Sequence, residues 1–286
     1  MGYAEPAWKL RFLRRASRRT YEPWPANRPI RFVTSFNDVF YVASGRRCVE
    51  TMREHNPTYE LWAYVEASGD RGLPEIEHEL ESLGATAVRL SERPLLAEFL
   101  KLARDVIPEQ FGGDAPAAMF PGEGSQTGDV WFRKNMYRWF RKIVALDHAS
   151  AGFEDVLFWI DCDCYSKAPL PRDVIEKAFR GAGVVRMKAN RRHTETGLVG
   201  YDLDKPGVHE LISAMKAHYM SRNFERYPRW DDCITLDLCL GRQDAPTSRD
   251  IARRAVGHSD VLPTTTFAPY LEHDKGLHNR KLGLVR

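Results

Sequence analysis

The chain has 286 residues, 43% hydrophobic and 28% charged, enough to bury the core of one large α/β domain with small appendages. No apolar stretch approaches the roughly 20 residues a membrane-spanning helix needs, and the N-terminus lacks the apolar region of a secretory signal. Five cysteines, an odd number without framework spacing, favour reduced thiols and a cytoplasmic compartment over a disulfide scaffold.

The formal net charge of +3 is unevenly spread. "WKLRFLRRASRR" (8–19) carries Lys9, Arg11, Arg14, Arg15, Arg18 and Arg19 and no acid, so the remainder of the chain is net acidic. Trp8, Phe12, Leu13 and Ala16 can line one face of a helix there. Such an arm is either a solvated helix packed on the domain or a contact for an anionic membrane surface or nucleic-acid phosphates. With the proline-rich "YEPWPANRP" (21–29) as an extended linker, residues 1–29 read as a basic arm preceding the folded domain, 30–286.

Within that domain "IRFVTSF" (30–36) predicts a first buried strand. "DVFYVASGRRCVETMREHN" carries helical spacing through Val42, Cys48, Val49 and Met52. "YELWAYVEA" (59–67) is a second strand, "PEIEHELESLG" (74–84) a helix stopped by Gly84, and "ATAVRLS" (85–91) a third strand. This alternation predicts parallel β-α-β units. Residues 95–130 are less regular, and the Gly/Pro-rich 111–129 read as a surface loop. A strong helix (130–149), the strand "VLFWI" (156–160), a helix (171–181), two strands (182–189 and 196–203) and a helix (207–220) follow. "PRWDDCITLDLCLG" (228–241) fits either period, with flanking Gly241 and leading acids favouring a helix.

The apolar run at 156–160 ends on Asp161, with Asp163 two positions later. At period 2 both carboxylates point to one side of an extended chain, and Cys162 and Cys164 to the other, as small buried residues. Ligands of open α/β sheets collect beyond the carboxyl ends of the strands, and two oxygen donors there suit Mg²⁺ or Mn²⁺ bridging to a diphosphate. The bland alternative is a capping aspartate with an accidental neighbour. Asp231 and Asp232 are likewise either a helix N-cap or catalytic carboxylates, Asp232 ahead of Asp231. Glu195, Thr196 and Gly197 either form a plain turn or line a pocket, Gly197 permitting close approach and Glu195 accepting hydroxyl hydrogen bonds.

The first strand–helix "FVTSFNDVFYVASGRRCVETMREHNPTYELWAYVE", "RWFRKIVALDHA", "LFWIDCDC", "ETGLVGYD", "RWDDC" and "HDKGLHNRKLG" together resemble the nucleotide-sugar glycosyltransferases of the GT-A fold. Their order and spacing are most similar to the retaining branch that includes glycogenin and bacterial lipopolysaccharide galactosyltransferases. The resemblance implies a single Rossmann-like, mostly parallel GT-A domain, with a nucleotide-binding half (30–165) and a sugar and acceptor half (166–286). It implies that Thr34, Ser35 and Asn37 meet the nucleoside, and that Arg141 and Lys142 lie near donor sugar or phosphate. Asp161, Asp163 and His273 would hold Mn²⁺ or Mg²⁺, Asp161 also touching ribose or sugar. Lys275, His278 and Lys281 would face the diphosphate, although the family's Lys-Pro-Trp after the glycine is missing. The expected activity is transfer from a nucleotide sugar, a UDP-sugar foremost, to a glycan or lipid-linked hydroxyl or a hydroxylated DNA base. A nucleotidyltransferase also pairs carboxylates with metal but wants a Gly-rich basic loop after the first strand, and "TSFNDVF" has no glycine. A non-catalytic nucleotide or nucleic-acid binding module is the remaining reading.

Overall fold

A computed structural model describes residues 23–66, 72–108, 133, 135–188, 193–253 and 261–274. The basic stretch 8–19, the loop 111–129 and the diphosphate candidates Lys275, His278 and Lys281 lie outside the described residues.

Strands β1 (Ile30–Asn37), β2 (Glu60–Glu66), β3 (Thr86–Arg89) and β4 (Val156–Ile160) are mutually parallel where they pair. Parallel neighbours need a crossover. Helices α1 (Arg46–His55) and α2 (Leu73–Ser82) supply the first two, and α3 (Pro94–Val106) and α4 (Met136–Ser150) lie between β3 and β4. A two-stranded ribbon begins with β5 (Cys164–Ser166), followed by α5 (Arg172–Phe179), β6 (Val184–Met187), β7 (Glu195–Asp202), α6 (Val208–Met220), α7 (Asp232–Leu240), β8 (Ser248–Asp250) and β9 (Leu271–His273). The main sheet runs β3-β2-β1-β4-β7-β6-β8, and β5 pairs with β9 apart from it. Strand β7 is antiparallel to both β4 and β6, so the sheet is mostly parallel with one reversed strand.

The strand order reverses between β1 and β4. The chain steps outward from β1 to β3, then returns to the other side of β1, opening a crevice at the carboxyl ends of these two strands. All five residues of β4 are buried because both sheet faces are covered. Leu157 and Trp159 join the apolar layer of α3, α4, α6 and α7, while Val156, Phe158 and Ile160 join that of α1, α2 and α5.

The helix α3 falls in the stretch that reads as irregular from sequence. Its signal is Pro94 at the helix start with Leu96, Phe99 and Ala103 buried at helical spacing, short enough to be hidden by the Gly/Pro tract that follows. Val42, expected on the apolar face of the first helix, is instead 64% exposed. It sits in a π-helical stretch, Tyr41–Gly45, whose wider turn shifts the helix phase and rotates Val42 outward.

Ahead of β1, Arg28 donates to both carboxylate oxygens of Asp202 at the end of β7, at 2.5 and 3.2 Å, with both side chains buried. Arg28→Met strands that carboxylate, and we expect a loss of about 3–5 kcal/mol in urea unfolding.

Candidate active site

Asp161 follows β4 directly. Its N–H donates to Gly197 O at 2.8 Å, and its own carbonyl accepts from Cys164 N–H at 2.9 Å, closing a tight turn. On the pleat Asp161 continues the Leu157–Trp159 side, toward α4. Its Oδ1 accepts the Trp159 indole N–H at 2.6 Å and lies 3.1 Å from Lys142 Nζ.

Lys142, from α4, is buried at the centre of the site. Its Nζ is 2.5 Å from Asp232 Oδ2, donates to Thr196 O at 2.9 Å, and sits 4.8 Å from the Trp159 ring. Burial pulls its pKa down, but the facing Asp161 and Asp232 carboxylates outweigh that and hold it above the ordinary lysine range. Asp161 is shifted up, first by burial and then by Asp163 and Asp232, with Lys142 opposing.

The two residues of the acidic pair before the last helix have different work. Asp231 is the N-cap of α7: its Oδ1 accepts Ile234 N–H at 2.9 Å and its Oδ2 accepts Arg229 Nε at 2.7 Å. Asp232, one residue into the helix, faces Lys142. Asp237, further along α7, accepts from Thr194 Oγ1 at 2.6 Å, Thr194 N–H at 3.1 Å and Arg186 Nη1 at 2.9 Å. That clamp positions the start of β7, where Glu195, Thr196 and Gly197 are buried beside the carboxylates.

Beyond the turn Asp163 Oδ1 lies 3.2 Å from His273 Nε2. The 111-residue excursion from Asp163 to Asp274 closes through Asp274 N–H donating to Asp163 O at 2.9 Å. Gly197 makes the convergence possible. A Cβ there would stand 2.9 Å from His273 Cε1, 3.4 Å from Glu195 Oε1 and 3.5 Å from Asp161 Oδ2. The turn also ends the period-2 alternation expected across "DCDC". Cys164 begins β5 opposite His273, and its thiol, the Asp163 carboxylate and the imidazole all lie within 4.8 Å of one another. The expectation that Cys164 faces away from the carboxylates is therefore corrected. An imidazole and a carboxylate 3.2 Å apart form a donor set that fits a divalent cation.

A cleft of about 230 Å³ opens beside these groups, lined by the end of β1 (Ser35, Phe36), Glu66 of β2, α4 and the β4 turn. Thr34 lies on the Phe32 side of the pleat, wholly buried, and Asn37 caps the next helical turn by accepting Phe40 N–H at 2.8 Å. Arg141 reaches the cleft wall but is engaged, bidentate to Glu66 at 2.5 and 2.8 Å and bonded to Tyr137 O at 2.7 Å. Arg138 is the cation that sequence reasoning missed. Its Nε and Nη2 are buried without a hydrogen-bond partner, and it makes no ion pair among the described residues. Burial lowers its pKa, with Arg141 adding to the effect and Tyr137 opposing it. The available signal was its spacing of four before Lys142, which puts both on one helix face.

No protein-family model and no curated protein matches the chain. Among solved structures it is similar to the apo form of mouse xyloside xylosyltransferase 1, with 10% identity over 78% of this chain and 85% of that one and a TM-score of 0.45. It is similar also to apo GlyE, a glycosyltransferase of Streptococcus pneumoniae TIGR4, with 12% identity, 78% and 45% coverage and a TM-score of 0.44. A third is the PaToxG glycosyltransferase, at 9% identity, 77% and 70% coverage and a TM-score of 0.43. At such overlap the chain's own side chains, rather than the likeness, must decide its chemistry.

Lys142→Met leaves Asp161 and Asp232 facing each other without their cation, and we expect a stability loss of about 3–5 kcal/mol at neutral pH. The loss should shrink on acidification. Asp161 already titrates above its unfolded value and does so more strongly without Lys142, so the folded variant takes up a proton before the unfolded chain does. Denaturant midpoints measured from neutral pH down to the carboxylate range check both the size and the sign.

Proposed function

We propose that this chain is a glycosyltransferase of the GT-A type that transfers a sugar, with retention, from a UDP-sugar to a hydroxyl acceptor. The observation that carries this reading is the pairing, at one strand-order reversal, of a half-buried guanidinium without a counter-ion among the described residues with two carboxylates held by one ammonium. A nucleotide sugar has the complementary parts: an anionic diphosphate, and a sugar whose hydroxyls need acceptors and whose anomeric carbon becomes cationic as the bond breaks.

In this reading the nucleoside lies along Ser35 and Phe36, and Arg138 meets the diphosphate. Each oxygen it pairs with meets a guanidinium that has no ion-pair partner among the described residues. Asp163 and His273 would hold a divalent ion, which when bound neutralises charge on the leaving diphosphate. Glu195 accepts hydrogen bonds from sugar hydroxyls. Asp232, paired with Lys142, faces the sugar and stabilises positive charge at the anomeric centre. Its oxygen already shares the ammonium at 2.5 Å, which suits charge stabilisation better than removal of an acceptor proton. That division supports retention over inversion, since inversion requires a base. Thr196 contributes its carbonyl to Lys142 rather than a side chain to the substrate.

A thermal-shift panel of nucleotide sugars with Mn²⁺ tests the reading, because a donor that binds the folded state raises the Tm by mass action. A UDP-sugar should do so and be slowly hydrolysed without acceptor. Arg138→Gln should weaken donor affinity about 10- to 100-fold, the worth of a hydrogen bond to a charged group. Asp232→Asn should bind donor yet lose turnover. A panel in which no nucleotide sugar shifts the Tm or turns over would end this proposal.

A further inference from the structure

We propose that the metal position of this cleft is built from Asp163, Cys164 and His273, with the Cys164 sulfur as a direct ligand, and that it selects a thiophilic divalent ion such as Zn²⁺ or Co²⁺ over Mg²⁺. The inference rests on the transferase reading for what the ion would serve, while the site itself stands on geometry.

Three observations carry it. The ligand atoms of the three residues lie within 4.8 Å of one another, close enough for one ion to touch all of them after small side-chain rotations. Cys164 and His273 are directly paired across the antiparallel β5–β9 ribbon, and opposed residues of such a pair project to the same face. Asp161, the other carboxylate of the expected metal pair, is drawn elsewhere at one oxygen: its Oδ1 already takes the Trp159 N–H and the Lys142 ammonium. A dication added at that oxygen would have to compete with a cation 3.1 Å away. Asp163 lies across the turn from that ammonium, next to the imidazole and the thiol.

A buried cysteine is ordinarily a small apolar filler, and Cys48 and Cys239 are of that kind. Cys164 differs in having a carboxylate and an imidazole within ligand range. Its hydrogen bond to Gly197 O, at 3.7 Å, is long and weak enough to surrender. Cys233 also has carboxylates near it, but Asp231 is committed to capping and to Arg229, and Asp232 to Lys142. On binding, the Cys164 S–H proton passes to solvent as the sulfur–metal bond forms, and no oxidant is needed. Thiolate and imidazole donors favour borderline and soft ions, whereas Mg²⁺ holds to oxygen.

The test uses the full chain stripped with a chelator and then titrated with Co²⁺. A thiolate-to-cobalt charge-transfer band should appear in the near ultraviolet, persist in Cys162→Ser, and vanish in Cys164→Ser. Zn²⁺ should abolish the band at stoichiometric addition, and a large excess of Mg²⁺ should not. Cobalt binding without the band, or the same band in Cys164→Ser, overturns the proposal. X-ray absorption on the zinc-loaded wild type needs no variant: a Zn–S shell near about 2.3 Å supports it and a purely N/O shell refutes it. The nucleotide-sugar thermal shift separates the two readings. Donor binding without a sulfur signal removes only this site, and a sulfur signal without any donor response removes only the transferase.

Discussion

A lysine ammonium buried among four elements has to be neutralised there, and much of the site follows from how that is done. Lys142 on α4 meets Asp161 after β4, Asp232 at the start of α7 and the Thr196 carbonyl of β7. Two carboxylates so close would repel without it, and it would be costly to bury without them. Both carboxylates keep the ammonium charged, and the ammonium opposes the burial that raises Asp161. The triad ties both helices to the reversed strand, so the active geometry and the packing of the crevice are one problem with one solution.

The same logic separates three cations on a single helix. Lys142 is balanced by carboxylates from the sheet and α7, Arg141 by Glu66, and Arg138 by nothing charged among the described residues. A structural cation and a ligand-seeking one cannot be told apart by residue type. They differ in whether the fold supplies a counter-ion, and among the described residues Arg138 has none. That places the anion-accepting end of the cleft one helical turn from the carboxylates, a separation natural to a substrate with an anionic part next to a sugar.

Much of the frame was legible in the residues. The apolar strands with their intervening amphipathic helices announce a sheet covered on both faces, because burial on two sides demands near-continuous apolar runs. Asp161 stands out as a carboxylate closing such a run. The helix α3 was hidden by its surroundings, although Leu96, Phe99 and Ala103 keep helical spacing. The order of Asp231 and Asp232 favours Asp232 for the site, but either can cap. The cap went to the residue whose carboxylate meets the Ile234 N–H, leaving the other to Lys142.

Local pattern thus sufficed for the strands, most helices and the position of the carboxylate turn, because these depend on periodicity within a few residues. Long-range pairing decided the rest. The β5–β9 ribbon brings His273 to Asp163 and turns Cys164 toward both, against the alternation that an extended "DCDC" implies. Ion-pair partners from strands and helices far apart in the chain determine which of Arg138, Arg141 and Lys142 remains open to a ligand. Side-chain periodicity is a property of a continuous strand, and it stops where the chain turns. Charge compensation is a property of the packed interior, and no stretch of sequence contains it.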